Sequence, residues 1–137
     1  MGSKVIVADT NLVAYVVIPG EQTNSALRVR SIDRNWIAPG LLRHELINVI
    51  AFNVRKGILS KDEGIRAFRR GLDLVKFDDR FSDPVTVLNL CEISKGASYD
   101  AEFVWLAMQL RVPLVTGDGP LVDAFPSVVV HFRNFAK

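Results

Sequence analysis

With 137 residues, 49% of them hydrophobic, the chain is long enough for one globular domain (residues 1–137) around a genuine core, and it holds no apolar run near the ~20 residues of a membrane span. Cys91 is the only cysteine, which excludes an intramolecular disulfide or a cysteine zinc cluster and suits a reducing cytoplasm. Net charge is only +2, yet residues 28–70 hold ten Lys or Arg against four Asp or Glu, while residues 71–137 hold six against nine; a basic flank beside an acidic region suits a polyanionic substrate.

Met1 to Lys4 lack the apolar stretch of a secretory signal, and Ile6 stands where a myristoylation motif opening at Gly2 wants Ser or Thr. Lys4–Ala8, rich in Val and Ile, reads as a short buried strand. Asp9 or Thr10 caps a helix over Asn11–Val17, which Ile18-Pro19-Gly20 ends. Thr23 or Asn24 starts a second helix to about Asp33. Asn35–Ala38 is a strand, followed by a Pro39-Gly40 turn. Leu41–Arg55 is an amphipathic helix with Leu42, Leu46, Val49, Ile50 and Phe52 mostly on one side, stopped by Lys56-Gly57. Ser60-Lys61-Asp62-Glu63 is a capping box, so a helix runs to about Arg70. Leu72–Phe77 is a third strand. Asp83-Pro84 opens a helix to Ser94, closed by Gly96, and Ser98 caps another to about Leu110. Pro113–Thr116 is a strand, Gly117-Asp118-Gly119-Pro120 turns into a short helix, and Ser127–His131 is the last strand. Strands alternating with helices predict a central parallel sheet covered on both faces, a three-layer α/β/α domain.

Four acids fall where these strands end or helices begin: Asp9, Glu45, Asp100 and Asp118. In a parallel sheet, ligands bind outside the carboxyl ends of the strands, near the point where strand order reverses. Asp9 and Asp118 follow two strands at that edge, and Asp100 and Glu45 sit in early turns of their helices. Each has a plain structural role open to it: Asp9 and Asp118 as helix caps, Asp100 as a reply to the helix dipole, Glu45 as a solvated residue. Glu45 fits that role least, lying beside Leu42, Leu46 and Val49, because a charge near an apolar stripe needs a partner. Gathered together, the four repel one another and call for a divalent cation, magnesium or manganese, of the kind that serves phosphodiester hydrolysis. Asn11 and Thr116, each two residues from an acid, can orient a carboxylate or a water by hydrogen bonds.

The motifs VIVADTNLVAYVV, HELINVI and SYDAEFVWLAMQLRVPLVTGDGPL, in that order and over nearly the whole chain, resemble the PIN-domain nucleases, most closely the VapC-type toxins of toxin–antitoxin pairs. That resemblance implies a PIN-like fold and a magnesium- or manganese-dependent endoribonuclease leaving a 5′-phosphate and a 3′-hydroxyl. Asp9, Glu45, Asp100 and Asp118 would be its catalytic and metal-holding acids. It further implies a homodimer, and inhibition by a small VapB-type antitoxin that threads into the active-site groove.

Among the remaining residues, Arg43 lies close to the helix acid, and Arg55, Lys56, Arg66, Arg69 and Arg70 make the densest basic stretch, so Arg43, Arg55, Lys56, Arg69 and Arg70 are the expected RNA or partner contacts. Glu102, two residues from Asp100, is expected to point away from it. His44-Glu45 opens like a zinc-protease motif, but Asn48 stands where the second His belongs. Trp36 and Trp105 are core or interface anchors, and Cys91 a buried thiol. A haloacid-dehalogenase-type phosphatase would use Asp9 as nucleophile but wants a second Asp where Asn11 stands. A receiver domain wants an acidic pair near Asp9 and a late Lys, neither of which is present. A non-catalytic PIN-like module that binds RNA or protein keeps all these residues and stays open on the sequence.

Overall fold

The computed structural model describes residues 5–80, 82–96 and 98–136; the expectations placed on residues 1–4 lie outside them. Val5–Ala8 (β1) is followed by two helices, Thr10–Val17 (α1) and Thr23–Ile32 (α2). Asn35–Ala38 (β2) leads into Leu41–Arg55 (α3) and Lys61–Asp73 (α4), then Val75–Phe77 (β3). Pro84–Ser94 (α5) and Ser98–Leu110 (α6) precede Leu114–Thr116 (β4), and Gly119–Ala124 (α7), Val129–His131 (β5) and Phe132–Phe135 (α8) close the described chain. All pairings in the five-stranded sheet are parallel, in the order β3-β2-β1-β4-β5. Helices α1, α3 and α4 pack on one another, while α5 pairs with α6 and α6 lies against β1 and β4. The result is the three-layer α/β/α arrangement that the strand–helix alternation demands.

Chain order runs outward from β1 to β2 and β3, then jumps back to β4 on the other side of β1. The reversal therefore lies between β1 and β4, where Val7 pairs with Leu114 and Ala8 with Val115. These central strands are buried throughout except at Val5, as continuous Val/Ile/Leu runs in a parallel sheet require. Of the two roles open to Trp36 and Trp105, core or interface anchor, both take the first, at 1% and 7% exposure. At Gly71 of α4 a Cβ would stand 2.5 Å from Leu46 Cδ2 and 3.2 Å from Val13 Cγ1, so this glycine lets α4 close onto α1 and α3.

Several local expectations shift. The third strand is shorter than Leu72–Phe77, because α4 continues through Asp73 and its apolar positions there serve the helix face; the strand starts at Val75. The capping box is present in full, with Ser60 Oγ accepting from the Glu63 N–H and Glu63 Oε1 from the Ser60 N–H. Lys95, in a left-handed conformation at φ 56°, closes α5 one residue ahead of Gly96. The last strand begins at Val129, and α8 follows it unforeseen, its N–H at Arg133 capped by His131 Nδ1. Phe52 lies off the buried stripe of α3, 51% exposed, and Cys91 is half-buried.

Candidate functional site

At the carboxyl edge of the sheet a cavity of about 730 Å³ opens over the β1–β4 junction, and Asp9, Glu45, Asp100 and Asp118 all line it. Four separate elements deliver them. Asp9 is the residue after β1 and the N-cap of α1, accepting the Thr10 N–H at 2.8 Å. Asp118 follows β4 and caps α7 through the Leu121 N–H at 3.1 Å. Asp100 stands in the first turn of α6, and Glu45 near the start of α3. Capping and convergence are thus not rival readings: the cap geometry is what turns Asp9 and Asp118 toward the shared space.

A hydrogen-bond chain fixes the floor of the cavity. Thr116, fully buried, donates its hydroxyl to Asp9 Oδ2 at 2.7 Å and accepts the Asp118 N–H at 3.0 Å. Asn11 donates from Nδ2 to Thr116 Oγ1 at 3.1 Å, and its Oδ1 accepts the Gly117 N–H at 2.9 Å. The Asp9 N–H donates to the Val115 carbonyl at 3.1 Å, which ties β1 to β4 below the acids. Thr116 thus bonds an acid directly, whereas Asn11 bonds Thr116 and the Gly117 backbone and touches no carboxylate. Thr10, whose sequence position suggests only a helix cap, also lines the cavity: its hydroxyl donates to Glu45 Oε1 at 2.7 Å, bridging α1 to α3.

The electrostatics of the cluster are unfavourable to charge. Burial pushes Asp9 up from 3.8 to about 7, against hydrogen bonds from Thr116 and Thr10 that lower it and with the negative charges of Glu45 and Asp100 adding to the rise. Burial also raises Glu45, with the Thr10 hydroxyl opposing and Asp100 adding. Asp100 is raised by burial and then by Asp118. The donor set is all oxygen, as a hard cation prefers, and a positive ion would relieve each of these penalties. The acids face a common space without closing on one point: among the described residues, no group of three or more His, Cys, Asp or Glu is arranged to hold a metal ion as it stands.

The expected contact arginines fall in three places. Arg43 is turned to the neighbouring β3 end, its guanidinium 3.8 Å over the Phe77 ring and 3.4 Å from Asp79 Oδ1. Arg55 and Arg69, with Lys61, line a mainly apolar trough of about 680 Å³ between α3 and α4, which shares Ile47 and Ala51 with the acid cavity. Arg70 points elsewhere, toward a hollow with Val17 and Pro19, and exposed Lys56 lies near the Phe52 ring. The dense basic stretch is therefore not one patch, because successive helix positions diverge by about 100°. Glu102 does turn from the cluster, accepting the Ser82 hydroxyl at 2.8 Å.

No protein-family model matches the chain. It is 25% identical over 131 residues, 90% of this chain and 97% of the relative, to ribonuclease VapC3 of Pyrobaculum aerophilum. Its fold is similar to the crystal structure of PAE2754 from Pyrobaculum aerophilum, with a TM-score of 0.73 over 99% of this chain and 96% of the other, at 17% identity.

Proposed function

We propose that residues 1–137 form one PIN-like domain acting as a magnesium- or manganese-dependent endoribonuclease, the toxin of a VapC-type toxin–antitoxin pair in the cytoplasm. The observation that carries this reading is the convergence of Asp9, Glu45, Asp100 and Asp118 on one cavity at the switch point of the sheet. The similarity to a VapC ribonuclease over most of both chains supports it. These four acids would hold the cation, Asp9 and Asp118 from the floor, Glu45 and Asp100 from the walls. When bound, a divalent cation neutralises the scissile phosphate and lowers the pKa of a water. The chain's own contribution is positional. Thr116 and the Thr10 N–H hold Asp9, Thr10 holds Glu45, and Asn11 locks Thr116 and the Gly117 backbone, so Asp9 and Glu45 are oriented in advance of any cation.

A VapB-type antitoxin and a second copy of the chain are the proposed protein partners. The α3–α4 trough, apolar within and flanked by Arg55, Lys61 and Arg69, is continuous with the acid cavity and suits a peptide that carries an apolar face and acidic residues. The exposed Val85, Leu88 and Ile93 of α5 suit a dimer contact. Among the described residues no helix is long and apolar enough to cross a membrane. A non-catalytic RNA- or protein-binding module is the second reading, favoured by the acids standing apart rather than gathered as a ligand set.

Incubating the protein with single-stranded RNA and magnesium or manganese separates the two. The nuclease reading expects cleavage that chelator stops and that Asp9→Asn and Asp118→Asn each lose. RNA binding with no metal-dependent cleavage would favour the non-catalytic module.

A further inference from the structure

Among the described residues, the acid cavity has no Lys or Arg on its lining. A phosphate entering it meets four carboxylates, so beyond any cation it must find neutral hydrogen-bond donors. Most of the available ones are committed or loose. The Thr10 hydroxyl is given to Glu45 and an Asn11 N–H to Thr116, while Asn11 Oδ1 accepts the Gly117 N–H and so pins that side chain. His44, Asn48 and Tyr99 are exposed. Tyr15 differs. Its ring is half-buried on α1, tilted against Phe132 with centroids 5.1 Å apart, and its side chain lines the cavity. Its hydroxyl has no hydrogen-bond partner among the described residues, although it reaches the loop that carries Asp118. A Cβ at Gly117 would stand 2.6 Å from that oxygen and 2.9 Å from Tyr15 Cε2, so the missing side chain of residue 117 makes the space in which the phenol sits.

Resting on the nuclease reading above, we infer that Tyr15 is a further catalytic residue, whose hydroxyl donates a hydrogen bond to a non-bridging oxygen of the RNA phosphate beside Asp118. The geometry has the parts this task needs. The ring is fixed by Phe132 on one side and the Gly117 backbone on another, so little side-chain freedom is lost when the bond forms. The donor is neutral and adds no charge that would compete with a cation for the carboxylates. The residue sits in the second turn of the helix that Asp9 caps, so the acid and the donor are positioned by one rigid element.

Tyr15→Phe removes only the oxygen and keeps the ring contact. A hydrogen bond to a charged group predicts that cleavage of a single-stranded RNA falls roughly 10- to 100-fold in kcat/KM, with an unchanged melting temperature. Phosphorothioate RNA identifies the acceptor. One diastereomer at the scissile phosphate should slow the wild type several-fold more than it slows Tyr15→Phe, because the variant has no bond left to weaken. Wild-type rates in Tyr15→Phe would overturn the inference. So would a slowed variant whose thio effect equals the wild type's, since the hydroxyl would then act elsewhere. Absence of cleavage by the wild type itself is a separate result: it rejects the nuclease reading, and the role of Tyr15 with it.

Discussion

The floor and the walls of the acid cavity are built differently. On the floor, Asp9 is 6% exposed and Thr116 not at all, and the bond between them runs across the β1–β4 junction, the most deeply buried seam of the sheet; Asp118, itself half-buried, is tied to that seam by its N–H to Thr116. On the walls, Glu45 and Asp100 are half-buried and ride on the outer helices α3 and α6; Glu45 has one hydrogen bond, from Thr10, that reaches back to the floor. The difference assigns two tasks to one constellation. The floor is held by strand pairing, whereas the wall acids are placed by helix packing. Burial raises Glu45 and Asp100, with Asp100 adding to the rise of Glu45 and Asp118 to that of Asp100, so repulsion opposes drawing the four carboxylates into one ligand set, and among the described residues none is formed.

The largest expected effect comes from breaking the floor. Asp9→Asn or Asp118→Asn should lower RNA cleavage by on the order of 10³-fold or more, since a bound cation contributes several kcal/mol of charge stabilisation. Neither variant should be less stable than the wild type without metal, because Asn also caps helices and relieves a charge cluster. A sharp fall in melting temperature for metal-free Asp118→Asn would mean that the acid is chiefly structural.

Next in size is the pH dependence of stability. In the folded, metal-free chain Asp9 keeps its proton up to about 7, whereas an unfolded chain releases it near 3.8. The folded state therefore binds more protons between these values, and stability falls as pH rises from about 4 to 7, by up to roughly 4 kcal/mol for a shift of some three units. The raised Glu45 and Asp100 act in the same direction. Denaturant melts at pH 5 and pH 8 should show this loss in the wild type with chelator, a much smaller loss in Asp9→Asn, and recovery at pH 8 on adding manganese. A wild-type chain equally stable at both pH values would remove the strained floor from the account.

A smaller effect sharpens the contrast within the hydrogen-bond chain. Thr116→Val leaves Asp9 buried and without the bond that best offsets its burial, so manganese affinity should drop roughly 10- to 100-fold by calorimetry. Thr10→Val removes a bond whose Thr10 end is buried but whose Glu45 end is half-buried and lines the cavity, where water can take its place, and the loss should stay under about 10-fold. Equal losses would erase the distinction between floor and walls.

Much of this was legible in the sequence, for identifiable reasons. The strand–helix alternation and the Val/Ile runs specify a parallel sheet, and a parallel sheet puts every strand end on one edge, so Asp9 and Asp118 could be placed together before any coordinates. Asn11 and Thr116 were readable because they lie within two residues of those acids. Thr10 and Tyr15 were not: their roles depend on contacts to Glu45 and to Gly117, 35 and 102 residues away, that no local pattern encodes. The Leu72–Phe77 stretch is ambiguous locally, because a short apolar run fits a helix end and a strand start equally well; α4 takes it through Asp73 and β3 from Val75. The basic stretch misled for a similar reason. Arg69 and Arg70 are adjacent in sequence but face different hollows.

That last point yields the smallest expected effect, and it tests whether the α3 wall extends into a partner surface. Arg69 lines the trough that runs on from the acid cavity, and Arg70 lines a hollow with Val17 and Pro19 instead. If the trough receives an acidic, apolar peptide or an RNA flank, Arg69→Ala should weaken binding of that partner by about 0.2–1 kcal/mol, the range of an exposed ion pair, and more so at low salt than at high. Arg70→Ala should leave affinity unchanged at both. The pair is informative because both substitutions remove the same charge from neighbouring positions of one helix. A general electrostatic attraction would respond to them alike, and only a partner seated between α3 and α4 would separate them. Equal weakening by the two variants would therefore return the basic stretch to the role of a diffuse positive field and take the trough out of the binding surface.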